Sequence, residues 1–388
     1  MTKTATVYTS EADSESAGRE LGRKVAEALG PQQPDALIVF ASSRFDYPRL
    51  LAAVSDACGP RVLAGSSSAG EFTARERGEG TACALALISD EIAISAGVGV
   101  GVSLDRAQVA RDVVSSFRGL ESRDFPYRSA LVMTDALAGH ADDLVEQLTV
   151  LTSGMYQFAG GGAGDDARFS RTHVFCGTEA FTDACVGLEL LSRKPLGIGV
   201  DHGWVPASGS LRVTEARGAQ VVSLNAMPAV EAFQAHASAT GQRFDQSAPL
   251  PFFLHNILGI DTGTGYRLRV PLTIGEDGSV HCAAEIPVGA RVCIMKTTGE
   301  SPIVAAQRAT QSAIRSLHGH KPAAALLFDC VATRLRMGDA FGYEVDSVAR
   351  LLDGASLVGC NTYGQIARAD GQFGGFHNCT AVVMVLPA

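Results

Sequence analysis

These 388 residues contain no basic cluster, no paired-cysteine spacing and no long apolar run. Each absence excludes a class of function. Net charge is −9 with positive residues scattered, which argues against nucleic acid or an anionic membrane surface as the main partner. Nine cysteines are spread without C-x-x-C, C-x-x-C-H or zinc-type spacing, as expected for reduced core residues in a cytoplasmic protein. The longest apolar runs stop far short of the roughly 20 residues needed to cross a bilayer, so no membrane insertion is expected. The N-terminus, MTKTATVYTSEADS, lacks the basic-then-apolar plan of a signal peptide. What remains is 46% hydrophobic and 19% charged, the balance of a globular chain with two or three cores.

The strongest internal signal is a turn used three times. Leu357 to Asp370 reads LVGCNTYGQIARAD, a buried strand entering a glycine turn. Near-copies lie at Leu63 to Phe72 and at Phe158 to Asp165. In each, a glycine near the strand end is followed at once by an acceptor: Glu71, Asp165 or Gln365. An apolar strand and a helix precede each turn, at 36–40 with 47–57, 130–133 with 142–152, and 323–328 with 343–352. A strand opening on Cys83, Cys185 or Cys379 follows. Self-similarity of this kind predicts repeated strand-helix-strand-turn-strand units.

Around the repeats, helices are expected over 10–29, 104–117 and 303–317, from an apolar period near 3.6. Glu276 to Ser279 reads as a hairpin turn between two strands. Residues 237–247 are small and polar and mark the expected boundary, giving domains 1–240 and 241–388. The fold class is α/β (mixed α+β), with mixed and antiparallel sheets covered by helices.

Candidate chemistry is sparse. Gly162-Ala-Gly164-Asp-Asp-Ala167 has the form of a dinucleotide loop, but two aspartates stand where a pyrophosphate belongs and a strand follows instead of a helix. Cys360, after a strand, and Ser67, in GSSSAG, are candidate nucleophiles without an evident base, which leaves a thiol-dependent hydrolase as one alternative. His202 beside Trp204, and His377 beside Phe376, are candidate metal or haem-iron ligands. Glu71, Asp165, Asp166 and Gln365 follow glycines at strand ends, and Arg334 follows the strand leading to Cys330. Acceptors and an arginine gathered at strand ends suit a small zwitterionic ligand, with Arg334 pairing its carboxylate.

Several stretches stand together in the first part of the chain: VLAGSSSAGEF (62–72), FAGGGAGDDARF (158–169), HVFCG (173–177), HGWVP (202–206) and VTEARGAQVVSLNAMPAVEAF (213–233). Further on come YRLRVPL (266–272), EDGSV (276–280), LLFDCVATR (326–334) and LVGCNTYGQIARADGQFGGFHNCTAVVMVL (357–386). In this order they resemble the FIST sensory domains of bacteria, N-terminal part and then C-terminal part. The resemblance implies a cytoplasmic module that is not an enzyme and that binds amino acids or similar small molecules. It implies signalling through a separate protein, such as a histidine kinase, cyclic-nucleotide enzyme or chemoreceptor, or through a homo-oligomer. One stand-alone branch, the NosP-type proteins, binds haem b to sense nitric oxide. The chain departs from many members at Ser66, where they have cysteine, and at Gln365, where they have glutamate. The expected ligand site joins Arg334, Cys360, Asn361, Thr362, Gln365, His377, Glu71, Asp165 and Asp166. His202 or His377 would ligate iron in the haem alternative. No cofactor is otherwise expected.

Overall fold

The computed structural model describes residues 2–369 and 374–388; Asp370, at the end of the repeat stretch, lies outside them. Three six-stranded sheets stand around one central apolar cluster, with helices outside. Each sheet has the same order: a unit's first, last, second and third long strands, then a hairpin from another unit.

In the first unit these strands are Thr2–Thr9, Ala82–Ser89, Ala36–Ser42 and Val62–Ser68. In the second they are Ile92–Val100, Ala184–Ser192, Tyr127–Thr134 and Gln157–Gly162. In the third they are Gly197–Asp201, Ala381–Pro387, Pro322–Cys330 and Ser356–Thr362. Within each unit the second and third strands run parallel and the other pairings are antiparallel. A helix crosses between the parallel strands, as parallel pairing requires.

The hairpins are exchanged in a ring. Glu71–Thr73 and Arg77–Gly78, from the first unit, extend the third sheet. Val174–Cys176 and Glu179–Phe181, from the second, extend the first. Gln365–Arg368 and Gly375–His377, from the third, extend the second. At the centre three backbone hydrogen bonds repeat the symmetry. Ala69 N donates to Asn361 O (2.9 Å), Gly164 N to Ser67 O (3.0 Å) and Tyr363 N to Gly162 O (2.9 Å).

The strand Ala36–Ser42 shows why these segments are apolar throughout. Ile38 and Phe40 face the central cluster, while Leu37, Val39 and Ala41 face the helices. Both faces are covered, so no polar alternation survives. Phe40 meets Phe328 of the third unit edge-on, ring centroids 5.7 Å apart. The helices start where short polar side chains take up free backbone N–H groups. Asp13 accepts from Ser16 N ahead of Ser14–Leu29, and Asp46 accepts from Arg49 N ahead of Tyr47–Cys58. Gly30 and Gly59 follow them, both at positive φ.

The repeated unit is longer than the sequence suggested, since each begins with a further strand and helix. In the third unit that strand, Gly197–Asp201, is separated from its helix, Ser301–Arg315, by residues 202–300. Those residues fold into a fourth sheet, packed against the helix Ala229–Thr240. The hairpin at 276–279 forms as expected. The helix expected over 104–117 is confined to Arg106–Val114, with Asp105 as its cap. Two helices were not anticipated: Leu250–Phe253, and Val331–Met337 immediately after the strand ending at Cys330.

Two alignments inferred from sequence are corrected. Cys83 pairs with Phe40 inside its strand, Cys185 pairs with Thr134 one position earlier in the frame, and Cys379 precedes its strand altogether. Asp165 is not the counterpart of Glu71 and Gln365. Those two stand opposite Cys360 and Gly161 in their ladders, and the residue in that place in the remaining sheet is Val174, opposite Ser66. Asp165 and Asp166 lie in a longer connection, 163–173.

Candidate functional site

The carboxyl ends of the parallel strands converge at one end of the three sheets, where open α/β sheets usually take ligands. There, between the first unit's hairpin and the helices Val331–Met337 and Phe341–Leu351, lies a cleft of about 410 Å³. That size suits a small molecule. Its floor includes Glu71, Arg334 and Asn361, and Arg77, Glu79 and Asp339 stand around it.

Gly70 brings the floor together. Its φ is +136°, and a Cβ there would lie 2.7 Å from Asn361 Oδ1 and 3.4 Å from Arg334 Cδ and Nε. Only glycine fits that conformation and that gap. Asn361 is 1% exposed, and neither its Oδ1 nor its Nδ2 has a hydrogen-bond partner. A buried amide left in that state costs about 1–3 kcal/mol, so its presence asks for a partner. Arg334 is largely buried, pairs with Glu79 on the rim, and has no partner for Nε.

Glu71 is fully buried. Ser68 Oγ donates to its Oε1 (2.5 Å), and Thr81 N and Oγ1 donate to its Oε2 (3.2 and 2.6 Å). Burial nonetheless raises its pKa to about 7, since the hydrogen bonds only partly offset the loss of water.

Of the residues singled out in the sequence, the cleft brings together Glu71, Arg334 and Asn361. The others are placed elsewhere. Gln365 Nε2 donates to Thr362 Oγ1 (2.8 Å) and its Oε1 accepts from Thr380 N (3.3 Å), an internal brace. Cys360 is sealed in the central cluster, where burial pushes its thiol well above the usual range, the opposite of what a nucleophile needs. Asp165 accepts from Tyr363 Oη and from the backbone N–H of Phe169, Ser170 and Arg171. Burial opposes its charge, but those bonds outweigh it and its pKa is lowered. Asp166 Oδ2 holds Ser42 and Ser43.

Both candidate histidines are held inside the fold. His202 Nε2 lies 3.0 Å from the Tyr266 carbonyl, and its Nδ1 accepts from Trp204 N. The cavity beside it is about 10 Å³, room for one water. His377 is fully buried, paired across the ladder with Gln365. Among the described residues no cluster of histidine, cysteine and carboxylates is arranged to hold a metal ion.

Sequence reasoning missed a buried charge cluster behind the cleft. Asp329 and Glu344 are both 1% exposed, and burial raises the pKa of each, Glu344 furthest because Asp329 faces it. Arg336 stacks over Trp204 at 5.5 Å and lies close enough to draw both carboxyls down. One signal was legible. Glu344 falls within the apolar stripe Phe341, Val345, Val348 and Leu352, at the spacing of one helix face.

The FIST N domain model matches residues 35–227 and the FIST C domain model residues 229–368. The chain therefore belongs to the FIST family. FIST domains are sensory domains, which places this chain among sensory proteins. No curated protein matches it. Among solved structures, a cyanuric acid hydrolase from A. caulinodans aligns over 100% of this chain and 99% of its own at 8% identity. Its TM-score of 0.33 is too low to bear on activity. No helix among the described residues is long and apolar enough to cross a membrane.

Proposed function

We propose that this protein senses a small anionic ligand, an amino acid or similar polar molecule, in the cleft floored by Arg334 and Asn361. The signal passes to a separate signalling protein of the kind FIST domains serve. What supports the reading is a single feature: a buried asparagine with both amide atoms unspent, beside a mostly buried arginine, at the carboxyl ends of parallel strands. Arg334 would take a carboxylate, Asn361 would supply one donor and one acceptor, and Glu71 would form the polar floor. Thr362, Gln365, Asp165 and Asp166 hold the frame on which these residues stand.

A thermal-shift screen of amino acids and small carboxylates tests this. A ligand at about 100 times its dissociation constant should stabilise the protein by about 2.7 kcal/mol. The response should vanish in Arg334→Met. A ligand that stabilises wild type and Arg334→Met equally would place the site elsewhere.

A further inference from the structure

The cleft already holds a carboxylate. Glu79, on the turn that follows the strand Arg77–Gly78, pairs with Nη1 of Arg334. The two partners differ in setting: the Arg334 side chain is 14% exposed and that of Glu79 is 69% exposed. Arg334 lies largely buried in the floor, while Glu79 reaches in from solvent. Its turn is flanked by Gly78 and Gly80, the latter at φ +69°. Glu79 engages one guanidinium nitrogen and leaves Nε unpartnered. A free carboxylate can take two parallel N–H groups on one guanidinium edge, a stronger arrangement than a single contact. Next to that seat, Asn361 presents an unpaired donor and an unpaired acceptor, whose complement is another amide.

We propose that Glu79 is a built-in stand-in for the ligand's carboxylate. The ligand is a small carboxylic acid bearing an amide, and it binds by displacing Glu79 from Arg334. This rests on the reading that the Arg334 cleft is the ligand site. A latch closed about nine-tenths of the time weakens the apparent affinity about tenfold, because only the open fraction is competent to bind.

The full chain is titrated calorimetrically with three probes: N-acetylglycine (carboxylate and amide), acetate (carboxylate alone) and N-methylacetamide (amide alone). N-Acetylglycine should bind more tightly than either fragment. Glu79→Gln, an exposed change that leaves folding intact, should tighten N-acetylglycine about tenfold and leave N-methylacetamide unchanged. Asn361→Ala should bring N-acetylglycine down to the level of acetate. If Arg334→Met abolishes binding but Glu79→Gln gains nothing, the latch is wrong and the site stands. If Arg334→Met binds N-acetylglycine as well as wild type, the site itself is wrong. Absence of heat with all three probes, even in Glu79→Gln, overturns the ligand class.

Discussion

Glu71 in the first unit and Gln365 in the third occupy the same place, yet only one of them can carry charge. Each follows a glycine at positive φ, Gly70 or Gly364, and each opens a hairpin lent to another sheet. Each is tied to the residue three positions back, Ser68 or Thr362, and to a threonine just before the closing strand, Thr81 or Thr380. In the second unit the matching trio is Ala163, Val174 and Ala184, all fully buried in the central apolar cluster. So the brace has a polar ionisable form, a polar neutral form and an apolar form. In each unit all three members change together, because a buried acceptor without donors, or donors without an acceptor, would be costly. The frame is symmetric, and the departure from symmetry marks the cleft: the ionisable form is the one at its floor.

The severest test is to mix the forms. Val174→Glu would put a carboxylate between alanines with no donor for it, and should destabilise by about 4 kcal/mol, seen as a collapse in soluble yield and thermal midpoint. A tolerant protein would show that the trios are not units.

The next test converts one polar form into the other. The folded pKa of Glu71 is raised from 4.5 to about 7, so the folded state holds the proton more tightly than the unfolded one. The stability this confers is present below pH 4.5 and is lost as pH rises through about 7, a difference of about 3 kcal/mol. Glu71→Gln, which can bond as Gln365 does, should therefore be more stable than wild type at pH 8 by up to about 3 kcal/mol and should match it near pH 4. Paired thermal midpoints at the two pH values read this, and equal gains at both would refute the titration. A smaller effect is expected of Gly70→Ala. Positive φ and the close approach of Asn361 and Arg334 should cost about 2 kcal/mol, with loss of ligand response. Least affected should be Cys360. An alkylating reagent under native conditions should leave it untouched while the half-buried Cys58 and Cys176 react.

Much of the frame was legible in the sequence. The strand-helix-strand-turn pattern, the glycines at 70 and 364 and the family stretches all carry local signals, and Arg334 and Asn361 stood among the candidates. The exchange of hairpins was not legible, since Glu71 pairs with Cys360 and Gln365 with Gly161, and no local pattern encodes such distant partners. The third unit's opening was hidden by the insertion at 202–300. The regular order of cysteines was a coincidence of spacing, and the longer connection at 163–173 moved the aspartates out of frame. Glu79 carried no signal at all: an exposed glutamate between glycines becomes notable only when the structure sets it on Arg334.

The most direct measurement is the thermal stability of Asn361→Leu without ligand, followed by its response to small carboxylates. If the asparagine is kept for a ligand, replacing its unspent amide with an apolar side chain of similar size should stabilise the protein by about 1–3 kcal/mol and cut the response to N-acetylglycine down to that of acetate. A variant that is less stable than wild type and still responds to N-acetylglycine in full would show that Asn361 serves the fold, and that the ligand binds elsewhere.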